Sequence, residues 1–217
     1  QREILEAVTT AEADTVETAK TLTAEAIDAV VERVEAAKTA AANNAAETFS
    51  NGESILTHDY SSTVITALET AVAARKSLTV YVTEARPRYL GRKTARQLAA
   101  VDGVAVKLVV DSAAGYYLDR CDRVVVGMDC IVDDRFYNRV GTYPLATTAA
   151  DRDVPMQAIG SSAKLVSGGF RFENEFRPAS EVMREPADGF EVLNPAYDAT
   201  PTRLLDAVIT DEGIERY

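Results

Sequence analysis

The sequence predicts an α/β fold, in which a short N-terminal helical segment precedes a Rossmann-like parallel sheet with helices on both faces. Residues 1–50 contain neither glycine nor proline. From residue 51 onward, strand-like segments alternate with helix-like segments, which is typical of βαβ units. The β-branched runs are nearly continuous, as in parallel strands that are covered on both faces. We therefore expect two units, residues 1–50 and residues 51–217.

The N-terminal segment has the pattern of amphipathic helices. Ile27, Val30, Val31 and Val34 recur at the spacing of one helical face. Thr9 and Glu12 have the spacing of a capping box, so we place a helix start there and expect two or three helices in this segment. The pair "NG" at residues 51–52 is a turn signal that ends it.

The larger unit is predicted to hold a sheet of five to seven strands. The segments with strand character are, in order, "SILTH", "SLTVYVTEA", "VAVKLVVD", "RVVVGMDCIV" and "VPMQAIG". The segments with helix character are "VITALETAVAARK", "LGRKTARQLAAVDG", "SAAGYYLDRC" and "GTYPLATTAADRD". Beyond them we expect an irregular excursion or hairpin in "SGGFRFENEFRPASEVM", and then a last short helix and strand.

The charge balance argues against nucleic acid as a partner. The chain carries a formal net charge of −11, with 34 Asp and Glu against 23 Lys and Arg. Such a surface repels the phosphate backbone of DNA, so we expect no DNA binding. Arginine outnumbers lysine in this acidic composition, which favours a salt-adapted archaeal source.

Two cysteines, Cys121 and Cys130, lie in an apolar region without the spacing of a zinc site or a disulfide framework. We interpret them as small buried hydrophobic residues. No stretch has the length and composition of a transmembrane helix or a signal peptide. We therefore expect a cytoplasmic protein without membrane contact, metal site or cofactor.

Polar residues collect where the predicted strands end. Ligands of open parallel sheets bind beyond the carboxyl ends of the strands, so these residues are candidates for a binding site. They are Thr57, His58 and Asp59 after the first strand, Thr83, Glu84 and Arg86 after the second, Asp111 and Ser112 after the third, Gly127 and Asp129 after the fourth, and Gly160, Ser161 and Ser162 after the fifth.

Several of these candidates also have a purely structural interpretation. His58, the single histidine, could be a hydrogen-bonded structural residue or a ligand-binding one. Ser61 and Ser62 could cap the following helix, although hydroxyl groups at a helix N-terminus also suit a phosphate. Glu84 and Arg86 could form a plain ion pair. Arginines are dense in "RPRYLGRK", and their planar donors favour an anionic ligand.

Asp129 is the most informative carboxylate, because it follows an apolar strand and so must be paired, protonated or functional. About ten residues later come Asn138, Arg139 and Gly141, just before a predicted helix. An amide, a cation and a glycine in that position could hold hydroxyl and phosphate groups.

Four motifs resemble a known family. The segments "ILTHDYSSTV", "VYVTEARPRYLGRKTARQL", "VVVGMDCIVDDRFYNRVGTYPLATTAADRDVP" and "NPAYDATPTRLLDAVITDEG" are similar to the regulatory subunits (alpha, beta and delta) of translation initiation factor 2B. That family also contains ribose-1,5-bisphosphate isomerase and methylthioribose-1-phosphate isomerase. The resemblance covers residues 50–217 and implies a helical domain before a Rossmann-like domain that dimerises.

The resemblance implies specific roles for some residues. In the isomerases a cysteine and an aspartate transfer protons, and the aspartate corresponds to Asp129. The Asn-Lys pair that holds the substrate corresponds to Asn138 and Arg139. The cysteine falls within "THDYSS", where this chain has Asp59, so a thiol that could shuttle protons is missing there. The Arg-Gly segment that grips phosphate in the isomerases is not found in residues 1–50, and this helical part is about half the usual length.

The resemblance leaves three hypotheses. The first is an initiation factor 2B-like protein with a phosphosugar or nucleotide pocket that is non-catalytic because Asp59 replaces the cysteine. The second is a divergent sugar-phosphate isomerase, of the ribose-1,5-bisphosphate type, with Asp129 and Asp59 as catalytic residues. The third is an assembly module without a ligand. The expected partners are a phosphorylated small molecule and further copies of the chain, in a homodimer or higher oligomer formed through the C-terminal domain.

Overall fold

A computed structural model describes Thr9 and residues 15–166, 169–185 and 188–217. The α-helices are α1 (Val16–Thr48), α2 (Ser62–Ala73), α3 (Leu90–Leu98), α4 (Ala114–Leu118) and α5 (Thr142–Asp151). The strands are β1 (Ser54–His58), β2 (Leu78–Thr83), β3 (Val104–Val109), β4 (Arg123–Gly127), β5 (Cys130–Val132), β6 (Arg135–Arg139), β7 (Met156–Ile159), β8 (Leu165–Val166), β9 (Tyr197–Pro201), β10 (Ala207–Thr210) and β11 (Gly213–Arg216).

Seven strands form the main sheet in the order β11-β10-β7-β4-β1-β2-β3. All neighbouring pairs are parallel except β10 with β11, which is antiparallel. The chain first extends the sheet in one direction from β1 to β3 and then in the other from β4 to β10. The order therefore reverses between β1 and β4, where the loops after these two strands diverge and leave a crevice.

Helices cover both faces of this sheet, as predicted. On one face, the buried residues of α1, α2 and α3 form a core with Ile55, Val80 and Val125 of the strands. On the other face, α4 and α5 pack over Leu56 and Val126 and their neighbours. Successive strand residues point to opposite faces, so the apolar strands inside the sheet are buried on both sides, whereas the edge strand β3 is partly exposed.

The N-terminal segment differs from the prediction. The described residues include Thr9, which is helical, and the 33-residue helix α1, which Thr15 caps by accepting a hydrogen bond from the Thr18 N–H at 3.1 Å. The predicted start at Thr9 and Glu12 involves residue 12, which lies outside the described residues. Only the end of α1 enters the core, through four alanines, Ala41, Ala42, Ala45 and Ala46. Ile27, Val31 and Val34 are exposed, so the predicted apolar face does not pack on the sheet.

The segment "RVVVGMDCIV" is two strands, and the prediction of one strand was wrong. After Gly127 the chain leaves the main sheet, and Cys130–Val132 joins a second sheet with the order β8-β5-β6-β9. Both halves are apolar because each is buried in its own sheet. Hydrophobic content alone does not report where a chain changes sheets.

The last part of the chain is largely irregular, as predicted for the excursion. Among its described residues, an isolated bridge joins Phe176 to Pro195. The final elements are the strands β9, β10 and β11 and a 3₁₀ turn at Thr202–Leu204, so more strands are present than the one expected. In the described part of the chain, no helix combines the length and the apolar character that a membrane crossing requires.

Candidate functional site

A cavity of about 160 Å³ lies at the crevice between the ends of β1 and β4. This is the position at which open α/β sheets bind ligands. Residues far apart in the sequence line it together, and most were singled out from the sequence. The predicted residues among them are His58, Asp59, Ser61, Ser62, Asp129, Asn138 and Arg139.

His58, the last residue of β1, is held by protein atoms at both ring nitrogens. Its Nδ1 lies 2.6 Å from the Thr83 hydroxyl and its Nε2 lies 2.8 Å from the Val140 carbonyl oxygen. A carbonyl can only accept, so Nε2 carries a proton and the Thr83 hydroxyl can donate to Nδ1. The ring thus forms a fixed wall of the cavity, and its hydrogen-bonding capacity is used within the protein.

Asp59 is brought into the cavity by a turn directly after β1. Its backbone is left-handed, with φ of 63°, a conformation that Asp tolerates better than most residues. Oδ1 accepts a hydrogen bond from the Tyr60 N–H at 2.7 Å, and the residue is 8% exposed. Burial raises the pKa of the Asp59 carboxyl above its ordinary value of 3.8 and outweighs the opposing effects of His58, the Tyr60 N–H, Arg139 and Arg88.

Arg139 stands between the two carboxylates of the cavity. Its Nε lies 3.9 Å from Oδ2 of Asp59 and 3.8 Å from Oδ2 of Asp129. These are ion-pair distances rather than hydrogen bonds. A cation in this position reduces the repulsion that two carboxylates in one site would otherwise have. The carboxylates differ in environment, because the Asp129 side chain is 35% exposed and that of Asp59 is 11% exposed.

The N-terminus of α2 closes one side of the cavity. Ser61 caps the helix by accepting a hydrogen bond from the Val64 N–H at 3.3 Å. Gly127, the last residue of β4, lies directly beneath it, and a Cβ atom there would be 2.5 Å from the Ser61 Oγ. Glycine is therefore required for α2 to begin this close to β4. The first N–H groups of a helix lack partners within the helix, which suits this side of the cavity for an anion.

Asn138 and Arg139 end β6, and their side chains reach the cavity from the second sheet. The Asn138 amide donates a hydrogen bond to the Thr142 hydroxyl at 3.1 Å, and that hydroxyl donates to the Arg139 carbonyl at 2.6 Å. These contacts fix the amide, which is buried. The turn between β6 and α5 thus orients Asn138 toward the cavity.

Four of the residues assigned to ligand binding lie outside this cavity, and so do the further strand-end candidates Thr83, Asp111, Ser112, Gly160, Ser161 and Ser162. Thr57 is buried within β1. The ion pair expected between Glu84 and Arg86 is wrong, because Glu84 accepts from Arg92 at 2.7 Å. Arg86 lines a smaller adjacent cleft of about 20 Å³ that also touches Asp59 and Arg139.

Gly141, the fourth of these residues, lies on the other side of the His58 ring. Its φ is +104°, and a Cβ atom would be 2.7 Å from that ring. Its N–H and that of Tyr143 both donate to Asp198 Oδ2, at 2.8 and 2.9 Å. Asp198, which was not singled out from the sequence, therefore occupies the N-terminus of α5, where a phosphate clamp was expected.

Lys164 is the other residue that sequence reasoning missed. It lines the same cavity as Asp129 and follows Gly160, Ser161 and Ser162 at the end of β7. Burial lowers the pKa of the Lys164 ammonium group, and the charge of Asp129 opposes that effect. Extending the inspection of each strand end by one helical turn would have included this lysine.

The His58 ring also borders a second, larger cavity of about 410 Å³. It lies between the end of β2 and the helices α4 and α5, and its lining includes Asp111, Gly115 and Thr148. None of the residues known to line it is a lysine or an arginine, so of these two cavities the smaller one carries the cations, Arg139 and Lys164. The two cysteines lie in neither cavity lining, and burial raises the pKa of the Cys121 thiol to about 12.

The arrangement in the smaller cavity suits acid–base chemistry on an anionic molecule. Two carboxylates in unlike environments can divide the roles of proton donor and proton acceptor. Arg139 and Lys164 provide cations, and the amide of Asn138 provides a neutral polar group. Ser61, Ser62, Asp59 and Asp129 come from strand ends, and a rigid sheet fixes their spacing.

Comparison with known proteins gives concordant results. The sequence pattern of the Initiation factor 2 subunit family matches residues 2–216. The chain is 35% identical over 207 residues to ribose 1,5-bisphosphate isomerase of Haloferax volcanii, covering 92% of this chain and 64% of that protein. The chain is thus shorter than this relative.

Two solved structures have the same fold. One is the delta subunit of translation initiation factor eIF-2B from A. fulgidus, with a TM-score of 0.79, 25% identity and coverage of 99% of this chain and 68% of that one. The other is 5-methylthioribose 1-phosphate isomerase from Pyrococcus horikoshii, also with a TM-score of 0.79, at 26% identity and with coverage of 99% and 65%. On these matches and on its fold, the chain belongs to the Initiation factor 2 subunit family.

Proposed function

We propose that the cavity between β1 and β4 is the site of an aldose–ketose isomerase that acts on a pentose with a phosphate group on C1. The observation that carries this proposal is that two carboxylates of unlike environment, Asp59 and Asp129, line one cavity with a cation within 4 Å of both. Asp59 and Asp129 are the proposed catalytic residues. Ser61, Ser62, Asn138 and Arg139 are the proposed ligand-binding residues of the cavity, and the His58 ring contacts the ligand as a wall of the cavity without hydrogen-bonding to it.

The chemistry needs both an acid and a base. Opening a cyclic sugar breaks the bond between C1 and the ring oxygen and requires a proton on that oxygen. Conversion to the ketose then moves a proton from C2 to C1, and the C2 hydroxyl gives up its proton, which restores the acid, as C2 becomes a carbonyl carbon. Asp59 suits the acid, because a buried carboxyl with a raised pKa holds its proton at a higher pH. Asp129 is more exposed and lies beside Arg139, which suits a carboxylate that accepts the C2 proton and returns it to C1.

The names of the most similar relatives favour isomerase activity over a role in translation initiation. The first relatives found carry the name ribose 1,5-bisphosphate isomerase, at 35% and 37% identity. The chain covers 64% and 54% of their lengths, so their substrate is carried over here as a proposal. Ribose 1,5-bisphosphate is therefore the first compound to test.

The second candidate is a non-catalytic protein that binds a phosphosugar or nucleotide in the same cavity. It is favoured by Asp59, which stands where the resemblance places a cysteine. A carboxylate at that position could bind sugar hydroxyl groups without transferring protons. The two candidates predict the same cavity and the same ligand chemistry, and they differ in turnover.

Turnover of ribose 1,5-bisphosphate to the ketose by the purified chain tests the proposal. Asp129→Asn removes the base with little change in volume, so turnover should fall about 10²–10⁴-fold while the melting temperature stays close to that of the parent. Asp151→Asn, on the exposed end of α5, is the matched control and should retain full turnover. Absence of turnover in the parent chain would reject the isomerase and favour the non-catalytic binding protein. Full turnover in Asp129→Asn would show that Asp129 is not the base.

We also propose that the chain associates with a second copy through the C-terminal domain. In support, large apolar side chains are exposed in the excursion before β9, at 51% for Phe170, 69% for Phe176 and 66% for Leu193. Apolar exposure on this scale is typical of interaction surfaces. Light scattering should give about twice the chain mass of 23.4 kDa, and Phe176→Asp should lower it. A parent chain of monomer mass would contradict this proposal.

A further inference from the structure

We propose that the larger cavity behind the His58 ring is a second binding site, which takes an organic cation with an apolar body, such as an aromatic amine or amidine. This cavity is separate from the one between β1 and β4, and the isomerase assignment gives it no role. The proposal therefore stands independently of the proposed function.

The larger cavity has the size of a small-molecule site. Its volume of about 410 Å³ falls within the range of about 300–1,000 Å³ that is typical of ligand pockets. Two glycines shape its walls. A Cβ atom at Gly141 would be 2.7 Å from the His58 ring, and one at Gly115 would be 3.1 Å from the Thr148 Cγ2. Glycine at these two positions lets the ring, α4 and α5 lie close together around the space.

One side of the larger cavity is apolar. Ala114, Pro144 and Leu145 line it, and Ala114 and Leu145 belong to the core on this face of the sheet. The hydroxyl of Thr148 donates to the Pro144 carbonyl at 2.8 Å, so its proton is used within α5. A ligand with an apolar body gains from contact with this wall, because that contact removes apolar surface from water.

Asp111 provides the charge of the larger cavity. Its two carboxylate oxygens accept hydrogen bonds from the Ala85 N–H at 2.8 Å and the Arg86 N–H at 2.7 Å, which fix the group in place. Each carboxylate oxygen can accept a further bond. Within the part of the chain that the structure describes, Asp111 takes part in none of the ion pairs. A cationic ligand would supply the partner that this carboxylate lacks.

The remaining polar groups around the larger cavity disfavour an anion. None of the residues known to line it is a lysine or an arginine. The N-terminus of α5 borders it through Gly141, but the carboxylate of Asp198 already accepts from the Gly141 and Tyr143 N–H groups. Both ring nitrogens of His58 contact protein atoms. An anion would therefore meet the charge of Asp111 without a cationic partner, whereas a cation would be attracted to it.

Three probes of nearly the same shape test the site on the native chain by NMR titration. Benzamidine is a cation, benzamide is neutral and benzoate is an anion. Benzamidine should bind with a dissociation constant on the order of 1–10 mM, and benzoate should bind at least about 10-fold more weakly. Benzamidine should shift the methyl resonances of Ala114 and Leu145, and leave that of Ile209, in the core on the opposite face, unchanged. Equal affinity for benzamidine and benzoate, or unshifted Ala114 and Leu145 resonances, would overturn the proposal.

A charge introduced at the edge of the larger cavity gives a second test. Ser112 lines the cavity and is exposed, so Ser112→Lys adds a cation without filling the core. This variant should weaken benzamidine binding about 10-fold and strengthen benzoate binding. The matched control is Thr147→Lys, at an exposed position of α5 that lines neither of the two cavities, and its affinities should equal those of the parent. Parent-like benzamidine affinity in Ser112→Lys would contradict the assigned site.

A competition experiment separates this site from the cavity between β1 and β4. Because the His58 ring stands between the two cavities, ribose 1,5-bisphosphate should not displace benzamidine. Competitive displacement would place both compounds in one cavity and would overturn the proposal of a second site. A chain that binds benzamidine as described but forms no ketose would reject the isomerase and leave the second site intact.

Discussion

Two arginines at opposite ends of the main sheet contact carboxylates in different ways. Arg123, the first residue of β4, is paired with Glu53, and its remaining donors reach the Thr48 hydroxyl at 3.2 Å, the Gln157 amide oxygen at 3.1 Å and the Thr48 carbonyl at 3.3 Å. The other Glu53 oxygen accepts from the Ser50 N–H at 2.7 Å. Both members of this pair have close partners, and their side chains are only 15% and 5% exposed.

Arg139 at the other end contacts its two carboxylates only at 3.8 and 3.9 Å. It borders a cavity, and Asp129 beside it remains partly exposed. Both ends bring a guanidinium group together with carboxylates, but only the end with loose contacts leaves space between the charges. At the end of the sheet where α1 attaches, charged side chains are hydrogen-bonded within the protein and have a structural role. At the other end, the charged side chains contact each other only loosely and remain available to a ligand.

Removal of Glu53 should have the largest effect on stability. Glu53→Ala leaves the Arg123 charge buried without its partner, and we expect the free energy of unfolding to fall by about 3–5 kcal/mol. Urea denaturation checks this. The matched control is Asp119→Ala, which removes the exposed partner of Arg152, contacted at 2.9 Å, and should cost about 0–1 kcal/mol. Equal losses in the two variants would mean that burial does not distinguish these ion pairs.

Asp59→Asn should have a smaller effect, of opposite sign. The raised pKa of Asp59 means that the folded chain binds a proton more tightly than the unfolded chain. Stability therefore falls as the pH rises from 3.8 through the raised pKa, and it stays lower above that range. Asparagine avoids this loss and tolerates the left-handed backbone of residue 59.

The expected result is a higher melting temperature for Asp59→Asn than for the parent at pH 7. Each unit by which the pKa is raised contributes about 1.4 kcal/mol, and the gain should vanish below pH 3.8. Thermal unfolding across this pH range measures it. A variant less stable than the parent at pH 7 would show that Asp59 is stabilised as a carboxylate and would remove its assignment as the acid.

The sequence predicted the main sheet well, because its strands are continuous apolar runs bounded by clear helix signals. It did not predict the second sheet. Cys130–Val132 and Arg135–Arg139 are short and are buried by contacts between β5, β6 and β9 that lie far apart in the chain. In α1 the tertiary contacts involve small alanines at one end, whereas the larger apolar residues suggested a packing face that is in fact exposed.

The lining of the candidate cavity was predictable where a strand end supplies the residue. Asp59 and Asp129 follow β1 and β4, and a parallel sheet brings such ends together. Lys164 and Asp198 were missed because one follows an extra turn after β7 and the other acts from β9 of the second sheet. The partner of Glu84 was predicted wrongly, since Arg92 is eight residues away and reaches it only after α3 forms.

A crystal structure of the chain soaked with ribose 1,5-bisphosphate tests the central claim most directly. We expect the sugar between the carboxylates of Asp59 and Asp129, in the cavity of about 160 Å³. Density for the sugar phosphate in the larger cavity behind His58, with the space between the two carboxylates left to solvent, would contradict the account.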